Sequence, residues 1–136
     1  HSAPICKNLI DGILDLGLDV LDIGLVPTPT MYFAIHHLKE TTGLIVTASH
    51  NPKEYNGVKI WGVWGNQIQA IKELYKKADL LPKAATIGQH SKHETITEDY
   101  LDYLVEQFSH LKNITVNAVF DCGNGSAGIV LPGSSN

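Results

Sequence analysis

The sequence predicts an α/β fold, a mixed, largely parallel sheet covered by helices. Three observations carry that expectation. Segments with apolar residues at helical spacing alternate along the chain with short apolar or alternating runs. Glycines and prolines (Gly17, Gly24, Pro27, Pro29, Gly43, Gly57) fall at the junctions between segments. The run Leu44-Ile45-Val46-Thr47 is apolar and β-branched, the pattern of a buried strand.

Each element follows in order. Ile5, Leu9, Ile13 and Leu16 lie on one face of a helix over residues 4–17, with Gly17 as its stop. Asp19 to Ile23 alternates polar and apolar side chains, a short strand ending at Gly24. Pro27 and Pro29 start a second helix, since proline is tolerated in a first turn. That helix carries Met31, Ile35 and Leu38 towards Gly43. After the 44–47 strand comes a small, polar loop from Ala48 to Gly57, and Val58 to Trp61 returns as strand. Ile68, Ile71, Leu74, Tyr75 and Ala78 predict a helix over 66–79, and residues 80–94 read as an aperiodic loop. A helix after Thr97 has Glu98 and Asp99 well placed in its first turn and a core stripe of Leu101, Leu104, Val105, Phe108 and Leu111. Val116 to Asp121 is expected as a strand, Gly123-Asn124-Gly125 as a turn, and Ile129 to Pro132 as the start of a further βα unit whose covering helix is absent.

Composition narrows the chemistry. Among 136 residues there are ten lysines, no arginine, seven histidines and fourteen acids, a net charge of −4. A nucleic-acid surface needs a clustered basic stripe, so that class of partner is not expected. The planar fork that clamps phosphate in two-pronged fashion is missing as well, so an anion must be met by lysine, histidine, hydroxyls or backbone. Cys6 and Cys122 stand far apart and imply neither a disulfide framework nor a metal knuckle, which suits a reduced, cytoplasmic setting. No apolar run approaches a membrane span. The chain begins at His1 and is expected to be a piece of something longer.

The segment richest in chemistry is Thr47-Ala48-Ser49-His50-Asn51-Pro52 with Tyr55-Asn56-Gly57-Val58-Lys59. It follows a buried strand, where open α/β sheets place ligands. Ser49 is a hydroxyl at a strand end, and a serine nucleophile needs a partner, being un-ionised at neutral pH. His50 is adjacent, but neighbouring side chains on extended backbone diverge, so adjacency does not make a pair. Lys59, on the returning strand, can bring an ammonium towards the same place. Without further information the same residues also fit a plain polar turn.

This segment resembles the active-serine loop of the α-D-phosphohexomutases, the phosphoglucomutase/phosphomannomutase family. Two other stretches resemble that family in the same order. Gly24-Leu25-Val26-Pro27-Thr28-Pro29 is similar to its strand-to-helix turn ahead of the serine loop, and Asp121-Cys122-Gly123-Asn124-Gly125-Ser126-Ala127-Gly128 to the opening of its second domain. The resemblance implies that residues 1–112 are the latter part of a first domain and 113–136 the first strand and turn of a second. It implies interconversion of hexose 1-phosphate and 6-phosphate through a phosphoserine and a bisphosphate intermediate. Ser49 would carry the phosphoryl group, Lys59 would bind it and stabilise its transfer or move a proton, and His50 would be a second proton carrier. Mg2+ would sit against the phosphate on Ser49, and hexose 1,6-bisphosphate would serve as activator. The upstream arginine stretch, the three-aspartate metal loop, the sugar-recognition loop and the C-terminal phosphate-binding domain are missing, and Trp61 to Asn66 is shorter than the family's hairpin. This stretch alone is therefore expected to turn over little or nothing.

Alternatives stay open at this level. Tyr55 before Asn56-Gly57 leans towards the phosphomannomutase/phosphoglucomutase branch over a phosphoglucosamine mutase. A non-catalytic phosphosugar-binding remnant would keep the loop and lose the rest. Gly123 to Gly128 satisfies the dinucleotide spacing G-x-G-x-x-G, but is expected to be only a tight turn. His90 and His93 are expected in a solvated loop with no nearby carboxylate pair, rather than in a metal site, and of His36 and His37 at most one faces any ligand. Trp61 and Trp64 are expected to pack rather than to flank a sugar.

Overall fold

The computed structural model describes residues 2–52, 54–77 and 81–131. The order of elements is α1 (Ser2–Asp15), β1 (Val20–Asp22), α2 (Thr28–His37), β2 (Leu44–Val46), β3 (Val58–Ile60), α3 (Asn66–Tyr75), β4 (His90–Lys92) and α4 (Ile96–Gln107). Short 3-10 turns at Ser109–Leu111 and Ser126–Ile129 follow. The α/β class is borne out. Among the described residues the strands form two two-stranded sheets, β1 with β4 and β2 with β3.

The chain divides into two compact units. The first holds residues 1–22 and 41–91. Here α1 lies against β1 and β2, and Gly17 ends its last turn in the left-handed region (φ 77°). β2 and β3 pair antiparallel, Leu44 opposite Ile60, Ile45 opposite Lys59 and Val46 opposite Val58. β2 is half-buried rather than buried. β1 is held to the 80–94 stretch by the Val20 N–H donating to the Gln89 carbonyl (2.8 Å) and by the Gln89 N–H donating to Asp19 Oδ1 (2.7 Å). That stretch, expected as loop, therefore contains β4. Its residues His-Ser-Lys are all exposed and polar, so no hydrophobic alternation announces it; β1 alone makes it a strand.

The second unit holds residues 23–40 and 92–136. Pro27 caps α2 in extended conformation with Pro29 inside the first turn, as expected. The helix stops at His37, and Lys39 turns out of it at φ 59°. The core joins Val26, Ala34 and Ile96, flanked by Ile23, Phe33 and Leu38. α4 begins at Ile96, one residue before Thr97, and Ile96 is its most buried side chain at 1% exposed. The expected core stripe of α4 holds only in part: Leu101 and Leu104 are half-buried, while Val105, Phe108 and Leu111 are exposed. Tyr100 and Tyr103 contact α2 instead, with ring centroids 5.3 and 5.2 Å from Phe33.

Two further expectations are corrected, at Val116 to Asp121 and at Trp64, while the helix expected over 66–79 forms as α3. Val116 to Asp121 is not a strand, and Val119 is 98% exposed. A strand needs a neighbour to take its backbone hydrogen bonds, and no sheet among the described residues includes it. Ile68, Ile71, Leu74 and Tyr75 form the amphipathic face of α3 but stay exposed; Ala78, the last of that series, lies outside the described residues. Trp64 is 71% exposed rather than packed. The unit expected from Ile129 onward runs out of the described residues at Pro132.

Candidate active site

The 48–57 loop is built outward from the β2–β3 ladder. One more backbone bond extends the pair, the Thr47 N–H donating to the Gly57 carbonyl (2.9 Å). Beyond it the chain turns sharply, and the Asn51 N–H closes on the Ala48 carbonyl (3.0 Å). The first central residue of that turn is Ser49, at φ 54°. Left-handed backbone costs a non-glycine residue about 1–2 kcal/mol, and turns with positive φ at this position are dominated by Gly, Asn and Asp. A serine there is strained.

Its side chain gains a partner from that strain. Ser49 Oγ lies 3.4 Å from His50 Nδ1. Adjacent side chains on extended backbone would diverge; the left-handed turn brings these two together. The Ser49 N–H donates to Thr47 Oγ1 (3.0 Å). A second turn follows, with the Tyr55 N–H on the Pro52 carbonyl (3.0 Å). Asn56 closes the loop: its Oδ1 accepts the Gly57 N–H (2.9 Å), and its Nδ2 donates to Ser2 Oγ (2.9 Å) at the start of α1.

Lys59 is exposed on β3, opposite Ile45 and two residues past Gly57. At about 3.3 Å per residue the ladder sets its backbone roughly 7 Å along the strand from the loop's base. Thus Ser49 and His50 are in contact, and Lys59 stands on the strand paired with the one that leads to them. Thr47 and Asn56 belong to the motif, but their hydrogen bonds within this framework, and the part of Ser2 in it, are not displayed by the motif itself. A threonine two residues before a serine is a signal for the first, since hydroxyls commonly accept nearby backbone N–H groups. The Asn56–Ser2 contact joins residues 54 positions apart and has no local signal.

The secondary candidates resolve as follows. His90 and His93 do have carboxylates beside them: His90 Nε2 is 3.5 Å from Asp22 Oδ2, and His93 Nε2 is 3.0 Å from Asp99 Oδ2. The carboxylates come from β1 and from α4, which the local sequence does not display. His37 Nε2 stands 4.0 Å from Asp99 Oδ2, its ring stacked on Phe33 at 4.8 Å. The hydrogen bond from His93 first, then that from Thr95 and the charges of His37 and His93, hold the Asp99 carboxyl below its usual range against a smaller cost of desolvation. Gly123 sits at φ 53° in a tight turn closed by the Gly125 N–H on the Cys122 carbonyl (2.9 Å). Among the described residues no strand immediately precedes it and a 3-10 turn follows, so the dinucleotide context is not formed there. Cys6 and Cys122 are free thiols.

A Mg2+ shell needs about six oxygen ligands in near-octahedral order. Among the described residues no group of three or more histidines, cysteines or acids could hold a metal ion. The described residues do not make a protein cage for the ion.

A strand, a strained serine turn and a lysine on the returning strand define an α/β domain with an exposed serine loop. Residues 1–80 match the family model described as phosphoglucomutase/phosphomannomutase, alpha/beta/alpha domain I. The chain belongs to the phosphoglucomutase/phosphomannomutase family. It is 37% identical over 132 residues to a phosphomannomutase/phosphoglucomutase of Pseudomonas aeruginosa, covering 94% of this chain and 27% of the relative. The corresponding protein of Pseudomonas putida is 39% identical over 132 residues, with the same coverage. A phosphoglucosamine mutase of Methanococcus vannielii is 37% identical over 131 residues, covering 88% of this chain and 28% of the relative. The chain thus spans little more than a quarter of the length of these relatives. No helix among the described residues is long and apolar enough to cross a membrane.

Proposed function

We propose that this chain carries the phosphoryl-transferring serine of a phosphohexomutase acting on hexose phosphates in the cytoplasm, with Ser49, His50 and Lys59 as its working residues. The observation that carries the reading is the Ser49 turn, with its hydroxyl 3.4 Å from an imidazole nitrogen. Ser49 Oγ attacks the phosphorus of a hexose 1,6-bisphosphate, the bond to one sugar oxygen breaks, and that oxygen leaves as the hydroxyl of a hexose monophosphate, taking its proton from solvent. The serine proton passes to His50 Nδ1 when that nitrogen is unprotonated. In the return step a sugar hydroxyl attacks phosphoserine and Ser49 Oγ recovers its proton. Lys59 offers positive charge to oxygens on which negative charge builds, and positioning with charge stabilisation is most of phosphoryl-transfer catalysis. Mg2+, bound to the phosphate on Ser49, would neutralise the same charge.

In this reading residues 1–112 are the latter part of the first domain and 113–136 open the second. The Pseudomonas aeruginosa phosphomannomutase/phosphoglucomutase and the Methanococcus vannielii phosphoglucosamine mutase stand at the same 37% identity; Tyr55 favours the first as substrate branch. Incubating the chain with glucose 1,6-bisphosphate and reading its intact mass tests the assignment. The expected result is one phosphoryl group on Ser49, absent from Ser49→Ala. Phosphoryl uptake elsewhere, or none, overturns it, and steady mutase turnover by this stretch would overturn the expectation that it is insufficient alone.

A further inference from the structure

We infer that Thr47 is a positioning residue, whose hydroxyl holds Ser49 in the left-handed conformation that presents its Oγ to His50. The inference rests on the reading of Ser49 as phosphoryl carrier. Thr47 directly follows β2 and is still anchored beside the ladder, its N–H bound to the Gly57 carbonyl at 2.9 Å. Its Oγ1 is therefore a fixed point, and the Ser49 N–H donates to it at 3.0 Å. On the other side of the turn the Asn51 N–H is bound to the Ala48 carbonyl at 3.0 Å. Ser49 is strained at φ 54° between these two bonds, and strain of this kind persists only where the surroundings over-determine it.

Released from the Thr47 bond, the turn has an easier conformation in which Ser49 is extended and Oγ swings away from Nδ1. Thr47 touches neither the phosphoryl group nor its leaving oxygen; it acts through Ser49. Its methyl group could be thought to matter more, since Thr47 is half-buried. Two substitutions separate the possibilities. Thr47→Val keeps the branched shape and removes the acceptor, while Thr47→Ser keeps the acceptor and removes the methyl.

The experiment measures, for each chain, hydrogen exchange of the Ser49 amide by NMR and the rate of phosphoryl uptake from glucose 1,6-bisphosphate by intact mass. Thr47→Val is expected to speed Ser49 exchange severalfold and to slow phosphoryl uptake by about tenfold, the order of loss a misplaced reacting group produces. Thr47→Ser is expected to leave both near the parent values. The inference is overturned if Thr47→Val changes neither, or if Thr47→Ser is impaired as much as Thr47→Val. Should the parent chain take up no phosphoryl group while Ser49 exchange still follows the hydroxyl, the carrier reading falls and the hold on the turn stands.

Discussion

His93 Nε2 donates to Asp99 Oδ2 across 3.0 Å, tying the approach of α4 to its first turn. Thr95 Oγ1 reaches the same oxygen at 3.3 Å, and His37 of α2 lies 4.0 Å from it. Because Asp99 is held below the ordinary carboxylate range, it favours the folded state above its unfolded value near 3.8, and that contribution is lost as pH falls through the lower folded value. Thermal unfolding followed down the acid range is expected to fall less steeply in Asp99→Asn than in the parent, with the variant less stable at neutral pH. Parallel curves would show that Asp99 contributes nothing.

The strain at Ser49 predicts an unusual response to glycine. Left-handed backbone is free to glycine, so Ser49→Gly is expected to be as stable as the parent or up to about 1 kcal/mol more stable. Ser49→Ala, which keeps the Cβ at φ 54°, gains nothing. Urea midpoints of the two variants check this.

Thr30, in α2, is fully buried, and its Oγ1 has no hydrogen-bond partner among the described residues. A buried unpaired hydroxyl costs roughly 1–3 kcal/mol. Thr30→Val keeps the shape and is expected to raise stability by about 1 kcal/mol, read as a higher urea midpoint with unchanged slope.

Gly88 leaves no room for a side chain: a Cβ there would run into the Leu18 carbonyl. Rigid backbone cannot yield as a side-chain tip can, so Gly88→Ala is expected to destabilise the chain by about 1–3 kcal/mol. Unfolding at the parent midpoint would show that the 80–94 stretch can move off β1.

Lys59 is exposed, so Lys59→Met is expected to leave stability within about 0.5 kcal/mol of the parent. The rate of phosphoryl uptake by Ser49 is expected to drop about 100-fold, the order lost with one charge-stabilising donor. An undiminished rate removes Lys59 from the site.

The helices were legible because their signals are local. The apolar spacing of Ile5, Leu9 and Ile13 and the prolines at 27 and 29 lie within single turns of chain, and α1 and α2 formed where those patterns place them. The serine loop was legible as a motif, through Ser49, His50, Asn56, Gly57 and Lys59 at their spacing. By itself, then, the sequence determined the α/β class and the family. Only the tertiary structure decided what pairs with what. β4 exists because β1 pairs with it, while Val116 to Asp121, with the better strand composition, has no such neighbour among the described residues. It also decided that Ser49 and His50 meet, since contact between neighbours depends on one backbone angle, and that angle is held by bonds from β2 and across the turn. Periodicity is a property of a segment, whereas hydrogen-bond pairing and turn strain belong to segments brought together, and that difference divides what could be read from what had to be seen.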